Sequence, residues 1–364
     1  MGKSRSEIKG TKRKRSRIFK SIIFIILLFV LLGGGYGAYA FSNIYHAAEE
    51  SYKPIDRDKS QYRDENVTIG KNPISILLMG VEDYSTNGKD GRTDTLIVAT
   101  LNPQTKKMMM ISIPRDTRVP IASKDNQLDK INAAYSSGSV NGYGAEKSTI
   151  ETVENFLHIP IDYYVKVGFK GFVDVVDEIG GVKVDVPFDF WEKNIYDHNK
   201  HINFTKGPMQ LNGEEALAYV RMRKRDPRGD FGRNDRQRQV IEAAISQMKS
   251  ADMLFKVDDL SDIVGKNIQT NLKPSEIYSL EKQYSNVTPA KQKFTLDTAE
   301  GHGSNDTING IYYYAPDENY VSEITAALRK QLGLSPYTGS DTGTATNTDS
   351  STSTDTDSTT TINQ

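Results

Sequence analysis

The residues best equipped for chemistry crowd into one stretch, Ala216 to Gln239. Seven arginines stand there (Arg221, Arg223, Arg225, Arg228, Arg233, Arg236 and Arg238), with Asp226, Asp230 and Asp235 threaded among them. A guanidinium keeps its charge and presents a planar fork that grips a carboxylate or a phosphate through two parallel hydrogen bonds. The stretch reads as a site for a polyanion such as a pyrophosphate. The plainer reading is a solvated basic face paired with its own aspartates.

A second set of charged groups falls at the ends of apolar segments upstream: Glu82, Asp83, Arg92, Asp94, Arg115 and Asp116. In open α/β sheets, sites gather beyond strand ends and in the loops that follow them. Carboxylates with no His or Cys nearby suit a hard cation such as Mg²⁺, which takes one or two of them and completes its shell with water and phosphate. The alternative is local structure, with Asp94 capping a turn and Arg115–Asp116 forming an ion pair. His198 and His201, at i, i+3, are read as loop histidines in preference to metal ligands.

These groups need elements to hold them. Tyr219–Arg225 is expected to be extended, with Arg221, Arg223 and Arg225 on one face at period two. Pro227, Gly229 and Gly232 then make a loop. A helix follows, its stripe formed by Ile241, Ala244, Ile245 and Met248. Arg233, Arg236 and Gln237 occupy its first turn, where free N–H groups and the helix dipole favour an anion. Upstream, Ile74–Met79, Thr95–Leu101 and Lys107–Ile113 read as strands. A helix begins near Lys130–Tyr135, and Ser136–Gly144 reads as a loop. Ala145–Leu157 and Phe169–Ile179 read as helices, Tyr163–Val167 and Val182–Val186 as strands. Asp189–Phe204 reads as an irregular insertion, and Asn212 as the cap of a short helix. Downstream, Ile277–Gln283 and Tyr320–Leu332 read as helices and Gln292–Asp297 as a strand. Tyr312–Tyr314 is a strand or an interface. The alternation defines an α/β chain.

The 364 residues carry Lys+Arg 46 against Asp+Glu 47, a formal net charge of -1, and Cys 0. Near-neutrality argues against a general nucleic-acid binder, and the absence of cysteine excludes disulfides, thiol nucleophiles and thiolate metal sites. Residues 1–20 are strongly basic, and 21–41 form an uncharged apolar run. At about 1.5 Å per residue the run spans a hydrocarbon core of roughly 30 Å. We read it as an uncleaved signal anchor in preference to a cleaved signal peptide, with the basic side cytoplasmic and the remainder outside the cell. Residues 42–71 read as a stalk, 72–334 as the folded domain, and 335–364 as a disordered Ser/Thr/Asp-rich tail.

Taken in order, several short segments resemble the LytR–CpsA–Psr (LCP) family of Gram-positive bacteria, its LytR-type members above all. They are Leu77-Leu78-Met79-Gly80-Val81-Glu82, Gly91-Arg92-Thr93-Asp94-Thr95-Leu96, Ser112-Ile113-Pro114-Arg115-Asp116-Thr117 and Lys130-Ile131-Asn132-Ala133-Ala134-Tyr135. Gly180-Gly181-Val182, Leu211-Asn212-Gly213, Ala216–Arg223, Gly229-Asp230-Phe231-Gly232-Arg233 and Arg236-Gln237 complete the set. The resemblance implies a single α/β/α sandwich, a central mixed sheet with helices on both faces, preceded by one transmembrane helix. It implies a hydrophobic pocket for a polyprenyl chain. It also implies a phosphotransferase that moves an anionic glycopolymer (teichoic acid, capsular or related polysaccharide) from undecaprenyl pyrophosphate to peptidoglycan. The implied acceptor is the C6 hydroxyl of N-acetylmuramic acid. By motif position, Arg115, Arg221, Arg223 and Arg233 bind the pyrophosphate, joined by Arg92, Arg236 and Gln237. Asp94 and Asp230 are catalytic, and Glu82 and Asp94 hold Mg²⁺. The family usually has aspartate where Glu82 stands, so Asp83 is the alternative ligand. Two other activities use the same residues: pyrophosphatase action on the lipid-linked donor, and plain retention of a lipid or wall polymer by a regulator.

Overall fold

The computed structural model describes residue 39 and residues 42–57, 59–82, 91–248, 257–284, 287–289, 294–296 and 301–339. Apart from residue 39, the expected membrane span lies outside the described residues, as do Asp83, most of the loop before Arg92, and the tail from 340 onward. No helix among the described residues is long and apolar enough to cross a membrane.

A helix over residues 42–51, α1, leads into the first long strands. These are β1 (Ile74–Glu82), β2 (Arg92–Asn102) and β3 (Lys107–Ser112), followed by the short pair β4 (Arg118–Pro120) and β5 (Leu128–Lys130). Helices α2 (Ala133–Val140) and α3 (Ala145–Leu157) precede β6 (Tyr163–Gly168), α4 (Phe169–Glu178) and β7 (Val182–Val186). Next come β8 (Phe190–Lys193), β9 (His201–Phe204), β10 (Gly207–Leu211), α5 (Gly213–Arg221) and α6 (Asp230–Met248). The chain continues through α7 (Val257–Asn267), β11 (Ile268–Thr270), α8 (Pro274–Tyr284), β12 (Thr288–Pro289), β13 (Gly303–Ile308), β14 (Ile311–Pro316) and α9 (Glu318–Gln331).

Six strands form the central sheet in the order β11-β6-β1-β2-β3-β12. β1 pairs parallel with β6 and antiparallel with β2, so the sheet is mixed. Side chains alternate across it. Leu77, Met79, Leu96, Val98 and Ile111 pack with Ile150, Val153, Ile324 and Leu328 of α3 and α9. Ile74, Ile76 and Tyr163 pack with Leu272 and with Ile277 and Leu280 of α8 on the other face. The result is the expected mixed α/β architecture with a central sheet and helices on both faces. A separate apolar cluster joins α4, β7, β8, α5 and α6 through Ile179, Val184, Phe190, Tyr219 and Val240. It forms the platform that carries the arginine stretch.

Five readings need correction. Tyr219–Arg225 is not extended: α5 continues through Arg221, and Met222 then takes φ -57, ψ 128. Asn212 starts α5 with a full capping box against Glu215, and this nucleates a helix strong enough to run over the alternating segment. Residues 136–140 continue α2. The irregular insertion contains the β8–β9 hairpin, with Phe190 opposite Phe204. The segment before Pro73 is no free stalk. Arg57 donates to both oxygens of the buried Glu154 at 2.6 and 3.1 Å, and Arg63 grips Asp162 at 2.9 and 2.7 Å. Residues 294–296, within the expected Gln292–Asp297 strand, are not in strand.

Candidate functional site

Asp94 owes its aim to a bulge. Gly80 pairs with Thr95 and Val81 with Thr93, leaving Asp94 as the extra residue between β1 and β2. Gly80 is needed there, because a Cβ would lie 2.9 Å from the Thr95 side chain. Arg115 sits in the turn after β3. The Thr117 N–H donates to Pro114 O at 3.0 Å and the Asn132 N–H to Arg115 O at 3.2 Å, fixing the turn. Arg115 Nη1 then donates to Asp94 Oδ1 at 2.7 Å.

The remaining arginines arrive from α5, the loop after it, and α6. Arg233 Nη2 lies 2.9 Å from Asp230 Oδ1 and donates to the Asp94 carbonyl at 3.3 Å. Arg223 Nη1 lies 3.9 Å from both Asp116 Oδ2 and Asp230 Oδ1. Arg115 Nε lies 3.7 Å from Asp116 and 3.9 Å from Asp230. Arg221 ends α5, 5.5 Å from the Phe169 ring, and makes no hydrogen bond or ion pair among the described residues. A pocket of about 380 Å³ opens here. Asp94, Arg115, Arg221, Arg223, Arg233 and Gln237 line it, together with Lys193, Lys224 and Arg225.

Positive charge is under-compensated in this cluster. The Nε donors of Arg115 and Arg233 and the Oδ1 acceptor of Asp230 are buried with no hydrogen-bond partner. Such groups are costly to leave unmade, and water, an ion or a ligand's atoms can complete them. Arg233 holds its proton less tightly than usual. Burial is the main cause, opposed by Asp230 and assisted by the like charges of Arg115 and Arg223. Burial acts the same way on Arg115, but Asp94, Asp230 and Asp116 outweigh it and raise the pKa. Both stay charged at neutral pH.

The structure divides the arginine stretch between the two readings made of it. Arg221, Arg223 and Arg233 face the pocket with Gln237. Arg236 does not, and it leaves the anion-binding set. It is 3% exposed, its Nη1 is paired with Asp226, its Nη2 donates to Met222 O, and its Nε donates to Tyr219 O at 3.0 Å. Arg228 and Arg238 pair with Asp235. Arg225 lies 3.3 Å over the Trp191 ring, beside Glu192 at 3.4 Å. Arg92 is exposed at the start of β2, close enough to Asp129 to lower its pKa, and does not line the pocket.

Four contributors escaped the sequence. Lys130 Nζ lies 2.6 Å from Asp116 Oδ1, so it closes the acidic side of the cluster. Phe169 and the β8 residues Glu192 and Lys193 form pocket wall. Nothing in their local spacing signals this, because α4 and β8 meet α5 only in the folded chain.

The donor chemistry suits Mg²⁺. Asp94 lines the pocket and Asp230 adds an orphaned oxygen, while no group of three or more acidic or histidine side chains among the described residues forms a cation site alone. Mg²⁺ needs only one or two carboxylates when phosphate and water supply the rest. Glu82 stands at the end of β1, opposite Arg92. His201 stacks on Trp191 at 3.6 Å, and neither it nor His198 joins a metal-holding group.

Comparison with known proteins identifies the family. The chain matches the LytR_cpsA_psr family over residues 38–330, and it belongs to that family. It is 47% identical over 330 residues to a polyisoprenyl-teichoic acid–peptidoglycan teichoic acid transferase, TagV, of Bacillus subtilis strain 168, covering 90% of this chain and 82% of that one. The crystal structure of B. subtilis TagV superposes with a TM-score of 0.60 at 46% identity, over 73% of this chain and 99% of that chain. A structure of the family protein YwtF (TagT) with bound octaprenyl pyrophosphate lipid superposes with a TM-score of 0.59 at 28% identity, over 78% and 100% of the two chains.

Proposed function

We propose that this protein transfers wall teichoic acid, or a closely related anionic glycopolymer, from a polyprenyl-pyrophosphate donor to the C6 hydroxyl of peptidoglycan N-acetylmuramic acid. It would do so outside the cell, anchored by residues 21–41. The observation that carries the reading is the convergence of Arg115, Arg221, Arg223 and Arg233 on one pocket, with buried donors left unpaired. The relatives' names and the lipid bound to the TagT homologue support the donor class.

Phosphoryl transfer asks a protein mostly for positioning and charge neutralisation. The pyrophosphate takes over the fork of Arg115 from Asp94 and the contacts of Arg223 and Arg233 from Asp230. Arg221, unpaired beforehand, needs no exchange. The sugar hydroxyl attacks the phosphorus nearer the polymer, and the bond from that phosphorus to the bridging oxygen breaks. Polyprenyl phosphate leaves while the new phosphodiester forms. Charge gathering on the bridging oxygen is met by fixed guanidinium donors, which need not reorganise. Asp94 or Asp230, released from its arginine, accepts the hydroxyl proton. Asp94, with Glu82 as the second ligand implied by the family pattern, would hold Mg²⁺. Bound there, the ion would neutralise pyrophosphate charge and lower the barrier to displacement.

The test supplies the full chain with a polyprenyl-pyrophosphate-linked teichoic acid precursor and uncrosslinked glycan strands, with products read by mass spectrometry. We expect a phosphodiester-linked product together with polyprenyl monophosphate. Water-cleaved polymer phosphate alone would replace transfer by hydrolysis. No turnover of a tightly held donor would leave a binding protein.

A further inference from the structure

The donor pocket lies on the Arg221 and Phe169 side of the cluster. Asp116 and Asp230 do not line that pocket, and Asp116 and Phe231 meet Tyr314 of the β13–β14 hairpin. That hairpin is tied to the site by its backbone: Tyr314 N donates to Asp116 O at 2.9 Å, and Tyr314 bridges to Thr117. Two residues earlier, Tyr312 remains 39% exposed, with Ile311 beside it at 49%. Lys130 connects the ring to the acids. Its Nζ lies 2.6 Å from Asp116 Oδ1, 5.8 Å from the Tyr312 ring centroid and 5.7 Å from that of Tyr313. The Tyr312 hydroxyl donates to Asn305 Oδ1 at 2.8 Å, across the hairpin, so the ring is held in place and not free to swing. Burial and the charges of Asp116 and Asp230 raise the Tyr312 pKa, opposed by Arg223, which is consistent with a ring close to the acids.

Tyr312, half-exposed and pinned near these carboxylates, is not among the residues that line the donor pocket. Its flat apolar face and polar edge suit the C–H face of a pyranose, and holding it in advance lowers the ordering cost of binding. We propose that Tyr312, supported by Tyr313 and Lys130, is the acceptor subsite, on which the muramic acid residue of a glycan strand stacks with its C6 hydroxyl turned toward Asp230. This rests on the transfer reading above. It adds a direction: the nucleophile enters from the hairpin side, across the cluster from the pocket that takes the donor, as in-line displacement requires.

The experiment measures transfer to soluble glycan strands and, separately, the Kd for a polyprenyl pyrophosphate. In Tyr312→Ala the acceptor KM should rise about tenfold, the loss of one good ring contact. The donor Kd should match wild type. Tyr312→Phe keeps the ring and loses only the bond to Asn305, and should stay within about threefold of the wild-type KM. Thermal unfolding of each variant separates a displaced hairpin from a lost contact. An unchanged acceptor KM in Tyr312→Ala, a raised donor Kd, or an equal loss in Tyr312→Phe would each overturn the assignment. If wild-type protein transfers nothing to glycan, the transfer reading fails and the acceptor assignment falls with it, whereas wild-type transfer with an unchanged KM in Tyr312→Ala overturns the assignment alone.

Discussion

Arg221 and Arg236 show why residue type alone does not locate function. Both belong to one run of basic side chains. Arg221 has no hydrogen bond or ion pair among the described residues and faces the pocket, whereas Arg236 and Asp226 are each 3% exposed at the side chain and paired. Arg221→Ala is expected to lower transfer about 10²–10³-fold, the usual loss for one preorganised donor to developing charge. Its urea midpoint should stay at the wild-type value. Arg236→Ala should instead destabilise the protein by about 3–5 kcal/mol, because Asp226 is left as a buried, unpaired charge. Urea unfolding monitored by circular dichroism distinguishes the two. Equal loss of stability in both variants would remove Arg221 from the binding set. The choice of arginine was legible from sequence. The direction each fork takes was not, since Arg233 and Arg236 lie three residues apart in α6 and one faces the pocket while the other bonds to Tyr219 and Met222 carbonyls.

At the scale of elements, the site depends on how tightly α6 starts against the loop before it. Gly232 lies in the first turn of α6, and a Cβ there would come within 2.0 Å of Asp226 Oδ2. Alanine in place of a helical glycine ordinarily stabilises by about 1 kcal/mol. Here the overlap displaces Asp226 and with it Arg236, and overpacking of this kind costs about 1–3 kcal/mol. Gly232→Ala should therefore lower stability, against the helix-propensity trend, and reduce transfer through Arg233 in the same turn. Parallel urea and activity measurements check it, and a stabilised, fully active variant would contradict the packing. The elements themselves were largely readable, because β1, α3, β6 and β7 have clear periods. The Tyr219–Arg225 stretch misled because a two-residue alternation of Arg and apolar residues also fits the end of a capped helix. Length and capping decided for the helix.

At the scale of the whole molecule, the segment before β1 is tied to the sheet and to α3. Arg57–Glu154 and Arg63–Asp162 are buried or nearly so, and Tyr164 OH donates to the Lys53 carbonyl at 2.8 Å. Burial raises the Glu154 pKa, with Arg57 acting against it. A chain beginning at residue 42 should fold as stably as the full ectodomain. One beginning at residue 72 leaves Glu154 and Asp162 without their arginines and should lose several kcal/mol, about 3 or more per broken buried pair. Equal urea midpoints would show the clamps to be incidental. If residues 21–41 anchor the protein as proposed, a segment held in this way would fix the height of the pocket above the bilayer. Chelation by EDTA is expected to abolish transfer and excess Mg²⁺ to restore it; full activity after exhaustive chelation would dispose of the metal.

Sequence by itself determined the α/β class, the family, the uncharged apolar run over residues 21–41, and the choice of guanidinium and carboxylate groups. These follow from side-chain period, hydropathy and residue chemistry, which are local properties. Tertiary structure alone decided which charges share a pocket. Asp94 enters through a bulge set by pairing between β1 and β2, Arg115 through a turn after β3, and Lys130 through β5. Their convergence depends on strand register and helix packing, and those are settled by contacts between segments, such as Arg233 with Asp94, that no local pattern in the chain records.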